Sequence, residues 1–444
     1  MSSTNMSGTN ASGTNLPGTW EIIDLDAAGD GVTADGQTVI GALPGEHWRT
    51  PSSATERVFD AEYPHRVGAA ASDRIKSLCR HHAECGGCVA QHMAPYTYAG
   101  WKHRQLTRAL TDRKLSIDCA ELWQAPLGSR RRLTLEAANT MSGVTIGLSA
   151  ARAHTRFDMN ECPVADPSLV AALTAIRTIC GHLLTQGATA RLTLTATSDG
   201  NVLDIAARSR DIANRALTRG QIGSLAAAHV VQATLDGDIL STTAPPALQL
   251  AGCRVPLPRG SFVQAVPQAE EKMQALVCAA LAGHKRVGDL FCGLGTFTLA
   301  VARKSTVMAY DSDAPAITAL TETARGAPGL KPVTATRRDL FRDPLAPAEL
   351  RDIRGVVMNP PRAGAQAQTR SLAQSAVETV VMVSCNPVTF ARDAATLIEA
   401  GFTAQTAHPI DQFLFSPHLE VVCAFTRRRG AGRRMRGRSR SPAR

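Results

Sequence analysis

The sequence predicts a multidomain α/β protein whose C-terminal part is a doubly wound, mostly parallel sheet. Three observations carry this expectation. At 444 residues the chain exceeds what one hydrophobic core usually serves. From residue 261 onward, short apolar runs alternate regularly with helical stretches, as in a parallel sheet covered on both faces. A glycine-rich turn follows the first of those runs, at the edge where such sheets keep their ligands.

The elements follow in order. Residues 1–18 repeat Ser, Gly, Thr and Asn and carry too little apolar surface for a core, so disorder is expected. Over 19–66, short β-type pieces are separated by turn signals at Gly29-Asp30-Gly31 and Asp35-Gly36. They predict a small antiparallel barrel, an architecture that often binds nucleic acid. A central α+β domain is expected over 67–260. It begins with an irregular cysteine-bearing segment and a basic amphipathic helix near Trp101 to Arg113. Mixed strands and helices near 167–185 and 211–227 follow. The doubly wound domain spans 261–427, with a helix near 268–283 and six strands, five ending at Phe291, Asp311, Asp339, Asn359 and Cys385 and the last reading "EVVCAF". Residues 428–444 are expected to be a disordered arginine-rich tail.

Charge needs locating before it is read. The net charge is +10, and nine arginines lie between Arg427 and Arg444, which leaves +1 for the remainder. The globular part is therefore near neutral, while the tail suits a phosphate backbone without sequence preference. No apolar run approaches the roughly 18 residues of a membrane span. The N-terminus has neither the basic nor the apolar region of a signal peptide, so a cytoplasmic protein is expected. Eleven cysteines in such a chain are not a disulfide framework. Cys119, Cys180, Cys253, Cys278 and Cys423 sit singly in apolar surroundings and read as small core residues.

Five motifs carry chemistry. In Val287–Ala302 a strand runs into Gly293 and Gly295 and then a helix, so a ligand can approach the backbone closely. The turn lacks both the third glycine of a dinucleotide fold and the lysine of a phosphate loop. Asp311 is placed for ribose hydroxyls and Asp339 for an adenine amino group, the usual S-adenosylmethionine layout. Asn359-Pro360-Pro361-Arg362 makes a rigid edge at the fourth strand; amine methyltransferases usually have an aromatic residue where Arg362 stands. Cys385, in Ser384-Cys385-Asn386-Pro387, ends the fifth strand, where a following helix N-terminus is expected to lower its pKa. Glu420, after His418, is a candidate general base. Cys79, Cys85 and Cys88 form a group with Cys162 much later; four thiolates suit zinc or an iron–sulfur cluster, and the three-plus-one spacing favours the cluster.

Together these motifs resemble the RNA uracil-C5 methyltransferase family, in its iron–sulfur-containing 23S ribosomal RNA branch. The resemblance spans about residues 20–427 and rests on "CGGC", "YTYAGWK", "SFVQA", "DLFCGLGTF", "NPPRAG", "SCNP" and the final His418-x-Glu420. It implies an N-terminal TRAM-type (OB-like) barrel, a central domain with a [4Fe–4S] cluster, and a C-terminal Rossmann-like class I methyltransferase domain. It implies that Cys79, Cys85, Cys88 and Cys162 hold the cluster. Gln264, Phe291, Thr296, Asp311, Asp339 and Asn359 would line the S-adenosylmethionine site. Cys385 would be the nucleophile and Glu420 the base, acting on a flipped uridine of RNA. Barrel, basic helix and tail would hold the RNA, with no stable protein partner and a monomeric enzyme. Three positions depart from the family pattern: Asn359 for Asp, Asp311 for Glu, and Val266 for an Asn that contacts substrate. Two alternatives remain at this level, an amine methyltransferase and a non-catalytic RNA-binding iron–sulfur protein.

Overall fold

A computed structural model describes residues 18–49, 66–148 and 157–427. The expected disorder at both ends and residues 50–65 of the expected barrel lie outside those residues.

The described residues of Met1–Glu84, Cys88–Trp101 and Phe415–Pro417 form one compact unit. It holds two small antiparallel sheets. One pairs Thr19–Glu21, His47–Arg49 and Arg66–Val67; the other pairs Asp24–Leu25, Gly31–Val32 and Thr38–Val39. Val39 and Trp48 on strands, with Ile22 and Ala42 in the adjoining connections, form one core. Leu25, Leu43, Met93, Tyr98 and Trp101 form a second. Glu46 is buried beneath them and accepts two bonds from Arg74, at 2.5 and 2.7 Å. Burial opposes its ionisation, but Arg74 and backbone amides overcome this and hold the carboxyl below its ordinary pKa.

A second compact unit comprises Cys85–Gly87, Lys102–Leu414 and the described part of His418–Arg444. Its six-stranded sheet runs in the order Asp238–Thr242, Val230–Leu235, Gly200–Ala207, Thr189–Thr197, Arg132–Thr140, Gly143–Gly147. Only the pairing of Gly200–Ala207 with Val230–Leu235 is parallel. The stretch expected as one helix near 167–185 is two, Pro167–Ala171 and Leu173–Leu183. The next helix starts late, at Arg219, where Thr218 and Gln221 form a capping box.

The doubly wound sheet is observed where the alternation placed it. Val333–Arg337, Thr306–Asp311, Arg286–Leu290, Gly355–Met358 and Thr379–Ser384 lie side by side and parallel. Glu420–Thr426 joins antiparallel, followed by His408–Asp411. Beyond that edge the sheet takes in Trp123–Gln124, a strand from far upstream. All residues of Gly355–Met358 and Thr379–Ser384 are buried, which is why they read as unbroken apolar runs.

The helix Pro95–Asp112 departs from the expected basic RNA-facing surface at Lys102. This lysine is fully buried, and its Nζ donates to Asp411 Oδ1 at 2.9 Å and to the His418 carbonyl at 2.5 Å. Burial lowers its pKa while Asp411 acts the other way. The pair ties the helix to both ends of the loop between His408–Asp411 and Glu420–Thr426, so Lys102 is a structural clamp, unavailable to a phosphate. Arg108 and Arg113 remain exposed.

Candidate active site

The glycine turn is built by backbone constraint. Arg286–Leu290 ends at Phe291, which takes a left-handed φ of 64°, followed by Gly293 at 52° and Gly295 at 91°. Gly295 cannot be replaced cheaply, because a Cβ there would lie 2.4 Å from Leu320. The helix Thr296–Ala302 begins directly after it. Asp311, the last residue of the neighbouring strand, reaches into this turn. Its Oδ2 accepts the Gly293 N–H at 2.8 Å and its Oδ1 accepts the Asp313 N–H at 2.9 Å. Both oxygens are thereby oriented, each with lone-pair capacity left. Beneath the turn Asp289 is buried, and burial pushes its carboxyl up to about 7.

Asp339 sits two residues beyond its strand, which ends at Arg337. Its Oδ1 accepts the Phe341 N–H at 3.0 Å. The exposed Phe341 ring tilts against Phe291 with centroids 5.3 Å apart. An aromatic wall thus stands beside the turn, and only the bare identity of Phe341 marked it in the sequence.

The register of the sheet assembles the other half. Ser384 pairs antiparallel with Val421, so Cys385 and Glu420 continue the same ladder across adjacent strands. Asn359 follows Gly355–Met358 on the parallel side, its N–H donating to the Leu290 carbonyl at 3.1 Å. Asn386 locks the cysteine turn. Its Oδ1 accepts the Val388 N–H at 3.0 Å as helix N-cap, and its Nδ2 donates to the Arg362 carbonyl at 3.2 Å. Thr389 Oγ1 donates to that carbonyl too, at 3.2 Å, so the proline edge and the cysteine turn are one structure.

The expected lowering of the Cys385 pKa is not observed. Burial and then the Glu420 carboxylate push the thiol up to about 11, against a smaller opposing effect of Arg362. Asn386 caps the following helix by taking the Val388 N–H, and Pro387 at the helix start has no N–H. Glu420 is itself fully buried, and desolvation pushes its carboxyl up to about 7.

Sequence reading missed the residue that links the two halves. Gln412 is buried and uses its whole amide. Nε2 donates to Gln264 Oε1 at 2.8 Å and to Glu420 Oε1 at 3.0 Å, while Oε1 accepts the Ala265 N–H at 3.0 Å. Gln264 is held in turn by buried Arg131, whose Nε donates to its carbonyl at 2.8 Å and whose guanidinium pairs with Glu270 at 2.7 Å. Val266, one of the departures, is buried in the apolar core. Thr296 opens its helix and offers its carbonyl to Gln274 at 2.9 Å.

The cysteine group is different. Among the described residues no three His, Cys, Asp or Glu side chains gather into a metal-holding set. Cys85 and Cys162 both pack against the apolar core of the six-stranded sheet, and the Gly87 N–H points to Cys85 Sγ at 3.4 Å. In the N-terminal unit, both ring nitrogens of His92 and Nε2 of His82 are buried without a hydrogen-bond partner. Of the isolated cysteines, Cys180, Cys253 and Cys423 are buried as expected, while Cys119 and Cys278 are only partly buried; burial pushes Cys180 and Cys423 up to about 12.

Comparison with known proteins adds the following. The family model for tRNA (uracil-5-)-methyltransferase matches residues 335–428. An uncharacterized RNA methyltransferase of Brucella suis is 39% identical over 412 residues, covering 92% of this chain and 97% of its own. The 23S rRNA (uracil(1939)-C(5))-methyltransferase RlmD of Halomonas elongata is 31% identical over 432 residues, covering 89% of this chain and 86% of its own. The crystal structure of Pyrococcus abyssi tRNA (uracil-54, C5)-methyltransferase with S-adenosyl-L-homocysteine aligns with TM-score 0.69 at 20% identity, covering 92% of this chain and all of that one. That last likeness speaks to fold. No helix among the described residues is long and apolar enough to cross a membrane.

Proposed function

The chain belongs to the RNA uracil-C5 methyltransferases, S-adenosylmethionine-dependent enzymes, and we propose that it methylates C5 of a uridine in 23S ribosomal RNA through a covalent Cys385 adduct. The observation that supports this mechanism most is that the register ends at the Ser384–Val421 pair, with Cys385 and Glu420 the next residue on each side, and that the Glu420 carboxylate acts on the Cys385 thiol. Uracil C5 is a poor nucleophile until something adds at C6. Cys385 sulfur adds to C6, and the C5=C6 electrons move toward C5 and O4. S-adenosylmethionine would supply a methyl group on a positively charged sulfur; C5 takes that methyl as the methyl–sulfur bond breaks, and the electron pair leaves with the neutral thioether S-adenosylhomocysteine. Glu420 then accepts the C5 proton, the C6–S bond breaks, and the double bond re-forms with thiolate leaving.

Site roles follow from this reading. Asp311 holds the ribose hydroxyls, Phe291 and Thr296 frame the turn, and Asp339 approaches the adenine edge. Gln264 and Asn359 orient the methyl donor; an amide at Asn359 keeps acceptor and donor capacity without charge. Because Cys385 is a thiol at neutral pH in the free pocket, the nucleophile must form after loading. Arg362 already favours the thiolate there. The N-terminal unit, as a TRAM-type barrel, and the arginine tail bind RNA backbone, and the enzyme works as a cytoplasmic monomer.

We also propose that Cys79, Cys85, Cys88 and Cys162 hold a [4Fe–4S] cluster. The four-thiol donor set supports this, and no reaction step is routed through the cluster. Anaerobically purified protein is expected to carry iron and acid-labile sulfide, both lost in Cys88→Ala; iron-free wild type would sink the assignment. For the target, mapping 5-methyluridine in RNA from a deletion strain is expected to show one ribosomal site lost and restored by the wild-type gene. Loss confined to transfer RNA would overturn the ribosomal assignment.

A further inference from the structure

We infer that Gln412 is a positioning residue that couples the methyl-donor site to the catalytic base. Its amide is fully committed. Its oxygen is fixed by the Ala265 N–H, so the amide cannot flip without losing that bond. Both N–H bonds must then face outward from it, one to Gln264 Oε1 and one to Glu420 Oε1. A primary amide with three satisfied bonds, buried to 1% exposure, has one orientation.

Two consequences follow for its partners. With Oε1 of Gln264 occupied, the other end of that side chain, an NH2 donor pair, is what Gln264 has left to offer a ligand. With Oε1 of Glu420 occupied, Oε2 makes no hydrogen bond among the described residues and is the oxygen left for a substrate proton. Gln412 thus fixes which atom of each residue faces the reaction. Its bond to Glu420 also favours the carboxylate, opposing the desolvation that raises the base.

Other charged groups flank this base. Cys385 lies on the next strand, and its thiol responds to both Glu420 and Arg362. His418 precedes Glu420 by two residues, and its pKa is lowered by burial and then by Arg362, Lys102 and Arg130. The Lys102–Asp411 pair closes the loop behind. Gln412 donates a hydrogen bond to Glu420 directly.

This inference rests on Glu420 being the base, and the test separates the two. Gln412→Met and Gln412→Leu keep the volume and remove both donors. Each is expected to lower kcat about 10–100-fold, and to move the midpoint of the pH–rate profile upward, since the ionised base has lost its donor. Each is expected to retain covalent capture of 5-fluorouridine RNA in the presence of S-adenosylmethionine, because capture precedes proton removal. An unmoved pH profile in both variants overturns the coupling role, as does loss of capture in step with kcat, which a general packing defect produces. Glu420→Gln retaining wild-type turnover would instead overturn the base assignment itself.

Discussion

Cys385→Ala is expected to abolish turnover and, with it, every covalent complex with RNA. The covalent step needs a nucleophile at C6, so the loss should reach background rather than a reduced rate. The measurement is 5-fluorouridine RNA incubated with S-adenosylmethionine, read as a protein–RNA adduct on a denaturing gel. Fluorine at C5 cannot leave as a proton is removed, so wild type should stall after methyl transfer. The folded state should hardly notice the substitution, because Cys385 is half-buried and Asn386, not the cysteine, holds the turn. Wild type giving no adduct on a validated RNA counts against the mechanism, and so does a full-yield adduct in Cys385→Ala.

Glu420→Gln should separate bond formation from proton removal. The side chain keeps its shape, and its carbonyl oxygen still accepts the Gln412 N–H. Turnover should fall by about 10²–10⁴, the usual contribution of a positioned base. Unmodified RNA should now accumulate as a methylated covalent complex, since C5 retains its proton. In wild type, kcat should rise with pH through about 7 and level off above it, because the base works ionised.

The same carboxyl makes a signed prediction for stability. Burial raises Glu420 from 4.5 to about 7, so between those values the unfolded chain is ionised where the folded one is protonated. The contribution of Glu420 to stability is therefore full below pH 4.5, is lost as pH rises to about 7, and is flat beyond. Glu420→Gln removes that penalty. Relative to wild type at the same pH, it should gain on the order of 1–3 kcal/mol in urea denaturation at pH 8 and little at pH 4. A difference between variant and wild type that is the same at the two pH values would show that Glu420 ionises freely in the folded protein.

Much of this site was legible locally. The apolar runs of Gly355–Met358 and Thr379–Ser384 read as buried parallel strands because their residues are buried on both faces. Strand ends then placed Phe291, Asp311, Asn359 and Cys385 on one edge. Asp339 was set too close, since its strand stops at Arg337 and the acid caps the following turn. Lys102 read as part of a basic face and proved to be buried, because Asp411, its partner, is 309 residues away.

By itself the sequence determined the order of the motifs, the doubly wound sheet and the chemical types present, since each depends on patterns within a few residues. Only tertiary structure decided their states. Whether Cys385 is thiol or thiolate depends on burial and on Glu420 across the strand, not on the helix after it. Whether Glu420 is aimed depends on Gln412, and Gln412 on Gln264, 148 residues earlier in the chain. Desolvation and hydrogen-bond partnership are properties of neighbours in space, and no local periodicity encodes them.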